Sequence, residues 1–314
     1  METSPTLSPH PDSPRLWTVA LACLAMFGGM IALSHFVLTG YALLSGPEMF
    51  GGGGKPDDRD LFAFLGTVPG LLFAATVSSF WITLIAVVAA ALSPEPFRER
   101  LALRNPRLPL VGWLLAVVGA LAVSQSVDAI LQLTNVGRGG ALSGILETLR
   151  QARGPWLVLS VLLIGGSAGV AEELFFRGYV QQRLVARLGA GVGIGLASAL
   201  FALAHLDPHH SSFAFVFGLF IGYVVFASGS VWPGVVAHAA NNSLSVIVVA
   251  LGFDDAQAPD AFHVAMLAFC LPGIALIVRW FHRYRWTRVP KPTSQDAAES
   301  LVDSESDLRR DAQG

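Results

Sequence analysis

The chain has 314 residues, of which 53% are hydrophobic and only 13% are charged, and its formal net charge is −2. An average soluble protein has about 25% charged residues, so this composition excludes an ordinary soluble domain, and the small net charge indicates no nucleic-acid partner. Several apolar stretches exceed the roughly 18 residues that a helix needs to cross the hydrocarbon. The sequence therefore predicts an all-α fold, a polytopic integral membrane helix bundle with about eight transmembrane helices.

In chain order, residues 1–15 are rich in Pro and Ser and predict a disordered N-terminal tail. A loop after the first span contains Gly51–Gly54, which lacks the Gly-Lys-Ser/Thr ending of a phosphate-binding loop and indicates a flexible tether. Residues 141–153 alternate apolar and charged faces at helical spacing and predict an amphipathic surface helix. The polar residues 287–314 predict a disordered C-terminal tail. The eight predicted spans are residues 16–44, 65–92, 110–133, 155–187, 192–206, 213–226, 231–251 and 261–280.

Eight spans place both termini on one side of the membrane, and most of the Lys and Arg residues of the loops fall on that side. They include four arginines between the second and third spans, namely Arg98, Arg100, Arg104 and Arg107. The positive-inside rule therefore predicts that both termini are cytoplasmic. The arginine-, alanine- and glycine-rich composition favours a bacterial source, so we expect a multi-pass protein of the cell (inner) membrane.

Two adjacent carboxylates and an arginine directly follow the apolar run Trp156–Val170. A charge inside hydrocarbon costs on the order of 2.5–3.5 kcal/mol on insertion scales, so it seldom occurs without a partner or a function. Glu173 and Arg177 are four residues apart with the acid first, which predicts an ion pair. Glu172 is rotated by about 100° from Glu173 on a regular helix, and we expect it to face a cavity without a partner.

Two later helices contain further polar groups at helical spacing. Phe201 and His205 are four residues apart on the predicted fifth span, and His238 and Asn242 are four apart on the seventh, beside Asn241. Imidazoles in membrane helices usually face the bundle interior, where they hydrogen-bond, move protons, bind metal or take part in catalysis. We expect these groups to converge with the glutamates on one site.

This set of side chains is compatible with two hydrolytic chemistries. One carboxylate, two imidazoles and one amide could activate water and stabilise an oxyanion. Alternatively, Glu172, His205 and His238 could ligate Zn²⁺ and leave a position open for water. The sequence has no His-Glu-x-x-His motif and no serine or cysteine nucleophile elbow.

The three motifs, in this order on successive helices, resemble those of the CPBP family of intramembrane proteases. That family includes the CAAX prenyl endopeptidases of the Ras-converting type and bacterial Abi and bacteriocin-processing relatives. The resemblance implies a peptidase in which Glu172 and His205 activate water, His238 and Asn242 form the oxyanion hole, and Glu173 and Arg177 support them. The family has been described both as metal-dependent and as glutamate-dependent, so both mechanisms stay open.

The resemblance covers about residues 154–251. It divides the chain into the tail 1–15, N-terminal membrane helices with the amphipathic linker (16–153), a protease-like core with the last helix (154–286), and the tail 287–314. Expected partners are a peptide or membrane-protein substrate and the lipid bilayer. Because prenylated CAAX proteins are eukaryotic, a bacterial source favours some other substrate.

Two other functions remain open at this point. One is a non-catalytic membrane scaffold or bacteriocin-immunity protein, and the other is a proton-coupled transporter, although the spans show no internal repeat of the kind common in carriers. Within the peptidase hypothesis, Glu172→Ala is expected to abolish activity and leave the protein folded. Glu173→Ala is expected to lower stability by leaving Arg177 without its partner.

Overall fold

The computed structural model describes residues 15–44, 63–135, 141–253 and 258–286. The predictions for the Gly51–Gly54 tether, residues 1–14 and the tail 287–314 lie outside these ranges. Within them the secondary structure is helical, without β-strands. The helices are α1 (Leu16–Leu44), α2 (Val68–Ala91), α3 (Phe97–Arg100), α4 (Leu110–Thr134), α5 (Ala141–Leu149), α6 (Pro155–Leu188), α7 (Ala190–Leu203), α8 (Pro208–Ser228), α9 (Trp232–Leu251) and α10 (Asp260–Trp286).

Seven of the described helices are long and apolar enough to cross a membrane, which confirms the all-α polytopic fold class. The predicted fifth span, residues 192–206, is instead the 14-residue helix α7. At 1.5 Å per residue α7 is about 21 Å long, short of the roughly 30 Å hydrocarbon core. The helix ends at Leu203, and the chain then passes through Leu206, which has a positive φ of 53°, and extended Asp207 (φ −124°, ψ 125°) before Pro208. The cytoplasmic placement of both termini rested on eight spans and stays a prediction.

Helix α8 begins earlier than the sequence analysis expected. His209 and His210 were assigned to a loop, but Pro208 is the first residue of the helix and both histidines lie in its first turn. Asp207 caps the helix, because its carboxylate accepts a hydrogen bond from the His210 backbone N–H at 2.9 Å. His210 therefore has a fixed position close to the end of α7.

Helix α6 is long and irregular, with π-helical backbone at Val161–Ser167 and Glu173–Gln181. π-Helical turns are rare and frequently occur at functional sites. In the second π-helical segment, every residue except Leu174 is buried, including Glu173, Arg177 and Gln181. This part of α6 runs through the interior of the bundle, which is where the charged motif residues lie.

Glycines on α6 bring it close to α9. A Cβ atom at Gly165 would lie 2.8 Å from the Cα of Ser243, and one at Gly169 would lie 3.1 Å from the backbone nitrogen of Ala239. Small residues at such crossings let membrane helices pack backbone to backbone. The amphipathic helix α5 ends at Leu149, four residues before its predicted end, and packs Leu149 against Val246 of α9.

Candidate active site

Glu173 and Arg177 on α6 form the predicted ion pair. Glu173 Oε1 lies 2.9 Å from Arg177 Nη1, and both side chains are fully buried. The guanidinium also lies over the ring of Phe201, 4.3 Å from its centroid, and its Nη2 donates to the backbone oxygen of Gly218 at 3.4 Å. A buried cation needs partners of this kind because burial removes its hydration.

His238 on α9 lies between the two glutamates. Its Nδ1 is 2.9 Å from Glu173 Oε1, and its Nε2 is 3.6 Å from Glu172 Oε2. Since a carboxylate only accepts hydrogen bonds, Nδ1 is assigned the hydrogen and donates to Glu173. Glu173 therefore binds both Arg177 and His238, a second partner that spacing along α6 could not reveal.

The two glutamates differ in exposure in the way the sequence analysis expected. The side chain of Glu172 is 20% exposed, whereas that of Glu173 is completely buried. The expectation that Glu172 has no partner is wrong, however, because its Oε2 faces His238 Nε2. This neighbour comes from α9, so spacing along α6 could not reveal it.

His205 lies just beyond the last turn of α7. Its Nδ1 is 3.0 Å from the carbonyl oxygen of Phe201, which can only accept, so Nδ1 donates and Nε2 has the lone pair. Burial lowers the pKa of His205 to about 4, an effect that this hydrogen bond partly opposes. The imidazole is therefore neutral at pH 7, and Nε2 can accept a proton.

His210 is a site residue that the sequence analysis missed. Its ring centroid is 4.0 Å from that of His205, and it lies close enough to Glu172 to interact with it electrostatically. The Asp207-Pro208 pair was a readable signal, because Asp before Pro is a common start of a helix. It would have placed His210 in the first turn of α8, but not its contact with His205.

Asn241 and Asn242 follow His238 on α9. Asn241 is buried and its Nδ2 donates to Asn242 Oδ1 at 3.5 Å, while Asn242 is half-buried. In this arrangement the carbonyl of the Asn242 amide is occupied and its nitrogen is the group that can donate to another acceptor. A donor beside His238 is the chemistry that an oxyanion requires.

Phe201 joins these groups physically. Its ring contacts the Arg177 guanidinium, and its centroid lies 4.9 Å from that of His205 and 5.8 Å from that of His238. Phe217 of α8 covers another side of His238 at 5.1 Å. These rings exclude water from the polar cluster, and electrostatic interactions are stronger in such surroundings than in water.

A zinc site would require Glu172, His205 and His238 to direct their ligand atoms at one point. Among the described residues, no three His, Cys, Asp or Glu side chains are grouped so that they could hold a metal ion. His238 directs one nitrogen at each glutamate, and His205 uses Nδ1 on a backbone carbonyl. As placed, these described residues do not form a three-ligand site, and a zinc ion here stays a prediction.

Residues 154–244 match the family model of the type II CAAX prenyl endopeptidase Rce1-like proteins. The matched segment is less than a third of the chain, and it contains every candidate residue of the three motifs. It confirms the resemblance to the CPBP proteases. Comparisons with curated proteins and with solved structures found no match.

Proposed function

We propose that this chain is an intramembrane endopeptidase that uses water activated by Glu172 and His205. The match of residues 154–244 to the type II CAAX prenyl endopeptidase Rce1-like model supports a CPBP family protease. His238 and Asn242 stabilise the oxyanion. The substrate is a peptide bond in a peptide or membrane protein that enters the helix bundle.

One observation supports this assignment above the others: two helices far apart in sequence bring Glu172, Glu173 and His238 into contact. If these charged residues only stabilised the fold, the Glu173–Arg177 ion pair would be sufficient. The additional imidazole faces the partly exposed carboxylate of Glu172 at 3.6 Å. A partly exposed carboxylate near an imidazole is a suitable group to take a proton from water.

In the proposed mechanism, a water molecule donates one proton to the Glu172 carboxylate and a hydrogen bond to Nε2 of neutral His205. Its oxygen attacks the peptide carbonyl carbon, and the carbonyl oxygen becomes an oxyanion. When the intermediate collapses, the C–N bond breaks and Glu172 returns its proton to the leaving amine. The products are a new carboxyl terminus and a new amino terminus, as hydrolysis requires.

The oxyanion needs hydrogen-bond donors, and we assign Asn242 Nδ2 as one of them. His238 can serve as the second when Nε2 also has a hydrogen. A buried carboxylate bonded to Nδ1 stabilises that doubly protonated imidazolium and fixes its orientation. We therefore assign Glu173 as a positioning residue for His238, and Arg177 as the charge partner that holds Glu173 in place.

The test compares purified full-length protein with Glu172→Gln on a peptide library, with and without a strong chelator. Glu147→Gln is the matched control, because Glu147 is an exposed glutamate on α5. We expect Glu172→Gln to lose cleavage by about 10²–10⁴-fold, with thermal stability close to that of the wild type. Glu147→Gln should cleave normally.

Normal cleavage by Glu172→Gln would contradict the proposal. Absence of cleavage by the wild-type protein would favour the non-catalytic scaffold. Loss of wild-type cleavage after chelation, with recovery on added Zn²⁺, would select the metal-dependent mechanism instead.

A further inference from the structure

A second polar cluster lies on α6, one to two turns beyond the candidate active site. Tyr179 and Arg183 form one wall of a cavity of about 840 Å³, which the first turns of α1 and the last turns of α2 complete. We call this cavity the α1–α2 groove. Ligand-binding cavities in proteins are commonly about 300–1,000 Å³, so the groove is large enough for a substantial ligand. None of Glu172, His205 and His238 lines it.

The groove is polar at the end where α1 begins and α2 ends, which we call its mouth, and apolar along the rest of the two helices. Leu21 and Ala25 of α1 and Ile85 and Ala89 of α2 form the apolar walls. From Arg15 at the mouth to Ala25 the α1 wall extends about 15 Å. An ion such as free phosphate would use the mouth alone, whereas a molecule with a charged head and a hydrocarbon chain would use the whole groove.

The mouth has an excess of positive charge. The described residues that line the groove include three arginines and one acid: Arg15, Arg100, Arg183 and Glu95. Arg100 Nη2 lies 3.0 Å from Glu95 Oε1, so the one carboxylate is already engaged. The arginines therefore offer a net charge of about +2 to a ligand at the mouth.

Two of these arginines are buried, which makes the excess charge costly. The Arg100 side chain is only 8% exposed, and among the described residues its Nε has no hydrogen-bond partner. Arg183 is also buried, and its guanidinium stacks on the Tyr179 ring at 3.6 Å. Buried polar groups in proteins are normally hydrogen-bonded, so Arg100 has hydrogen-bonding capacity that the described residues do not use.

The mouth also has a residue that is typical of the membrane interface, where lipid headgroups lie. Trp17 lines the groove next to Arg15 and is largely exposed. Tryptophan is enriched at the membrane interface, where headgroups lie. Basic pockets between transmembrane helices near the cytoplasmic surface are known to bind anionic headgroups, and this end of the bundle holds the arginines of the predicted cytoplasmic loop.

We propose that the α1–α2 groove binds a membrane phospholipid with a net-negative, phosphate-containing headgroup. The phosphate lies among Arg15, Arg100 and Arg183, and one acyl chain lies along the apolar walls of α1 and α2. This site is separate from the proposed peptidase chemistry and does not depend on it.

The test is native mass spectrometry of the detergent-purified full chain titrated with three probes: phosphatidylglycerol, phosphatidylcholine and glycerol 3-phosphate. These probes separate an anionic lipid, a zwitterionic lipid and a free anion. We expect phosphatidylglycerol to bind at least tenfold more tightly than phosphatidylcholine, and glycerol 3-phosphate at a hundredfold excess to leave it bound.

Two variants examine the two ends of the groove. Arg100→Gln removes the buried cation, and we expect it to reduce the preference for phosphatidylglycerol at least fivefold. Its control is Arg104→Gln, because Arg104 is a neighbouring arginine that is exposed, pairs with Glu99 and does not line the groove.

Ala89→Phe should fill the apolar part of the groove and weaken the binding of both lipids. Its control is Val87→Phe, because Val87 is exposed on α2 outside the groove, and this variant should bind both lipids normally.

If Arg100→Gln fails to fold, Arg15→Gln decides the question, because Arg15 is exposed at the mouth. Equal binding of the two lipids by the wild type would overturn the proposal, and so would insensitivity to both arginine variants. Displacement of phosphatidylglycerol by glycerol 3-phosphate would also overturn it, because the site would then recognise the anion alone. Retained lipid binding in Glu172→Gln is expected, since that residue belongs to the other site.

Discussion

Helix α6 contributes to two polar clusters that differ in how their charges are balanced. In the candidate active site Glu173 contacts Arg177 and His238 at 2.9 Å each, and its side chain is fully buried. In the α1–α2 groove three arginines share one carboxylate, and Arg100 retains an unsatisfied nitrogen. In the first cluster Glu173 and Arg177 pair their opposite charges within the protein, although Glu173 Oε2 and Arg177 Nε also have no hydrogen-bond partner among the described residues. The second cluster has an excess of positive charge, which an anionic ligand would balance.

The strongest way to disturb the balanced cluster is to remove its cation. Arg177→Met leaves Glu173 buried without its charge partner, and breaking a buried pair typically costs about 3–5 kcal/mol. We expect poor yield of folded protein and a large loss of thermal stability, measured by size-exclusion chromatography after heating. The double variant Glu173→Gln/Arg177→Met removes both charges and should recover part of the loss. Equal stability of Arg177→Met and the wild type would show that the pair is not structural.

Changing Glu173 is expected to affect both stability and activity. The sequence analysis predicted a loss of stability alone, but the contact with His238 adds a catalytic consequence. Glu173→Gln should lower kcat by about 10–100-fold, as is typical when a residue supporting a catalytic or metal-binding histidine is changed. KM should change little, because Glu173 does not reach the substrate. Unchanged kcat in folded protein would contradict its assignment as a positioning residue.

A smaller disturbance tests the packing that surrounds the balanced cluster. A Cβ atom at Gly234 on α9 would lie 2.7 Å from Val225 Cγ2 and 3.1 Å from Glu173 Oε2. Gly234→Ala should therefore destabilise the protein by about 1–3 kcal/mol through overpacking, measured by thermal unfolding. Gly195→Ala on α7 is the control, because no described atom lies within 4 Å of its Cβ position. It should be neutral or stabilise by about 0.5–1 kcal/mol.

The smallest expected effect is a change in lipid binding when the acidic residue at the mouth of the α1–α2 groove is neutralised. Glu95→Gln removes the one acid among the described lining residues and raises the net charge of the mouth from about +2 to about +3. Because Glu95 is half-exposed, its pair with Arg100 contributes no more than about 1 kcal/mol to stability. Phosphatidylglycerol should bind a few-fold more tightly, measured by native mass spectrometry, and weaker binding would contradict the electrostatic account.

Local features of the fold could be predicted because they depend on positions along one helix. The Glu173–Arg177 pair follows from four-residue spacing on α6, and the apolar runs were sufficient to predict a polytopic helical fold. The early start of α8 was missed, although Asp207 before Pro208 was visible in the sequence. The predicted fifth span, residues 192–206, was already short, and the structure has a 14-residue apolar helix there, beside seven described helices that are long enough to cross a membrane.

Contacts between helices could not be predicted in the same way. The approach of His238 to both glutamates depends on how α9 is rotated against α6, and no spacing within either helix specifies that rotation. The π-helical segment Glu173–Gln181 changes the relative direction of the side chains, and its sequence had no recognised signature. The α1–α2 groove joins residues from three helices, which only the packed bundle brings together.

The most direct test of the central claim follows oxygen from water labelled with ¹⁸O into the new carboxyl terminus of a cleaved peptide. Wild-type protein, Glu172→Gln and Glu173→Gln are compared at equal amounts of folded protein, and label is measured by mass spectrometry of the fragments. We predict rapid labelling by the wild type, labelling about 10–100-fold slower with Glu173→Gln, and none above background with Glu172→Gln. Labelling by Glu172→Gln at the wild-type rate would contradict the assignment of this carboxylate as the group that activates water.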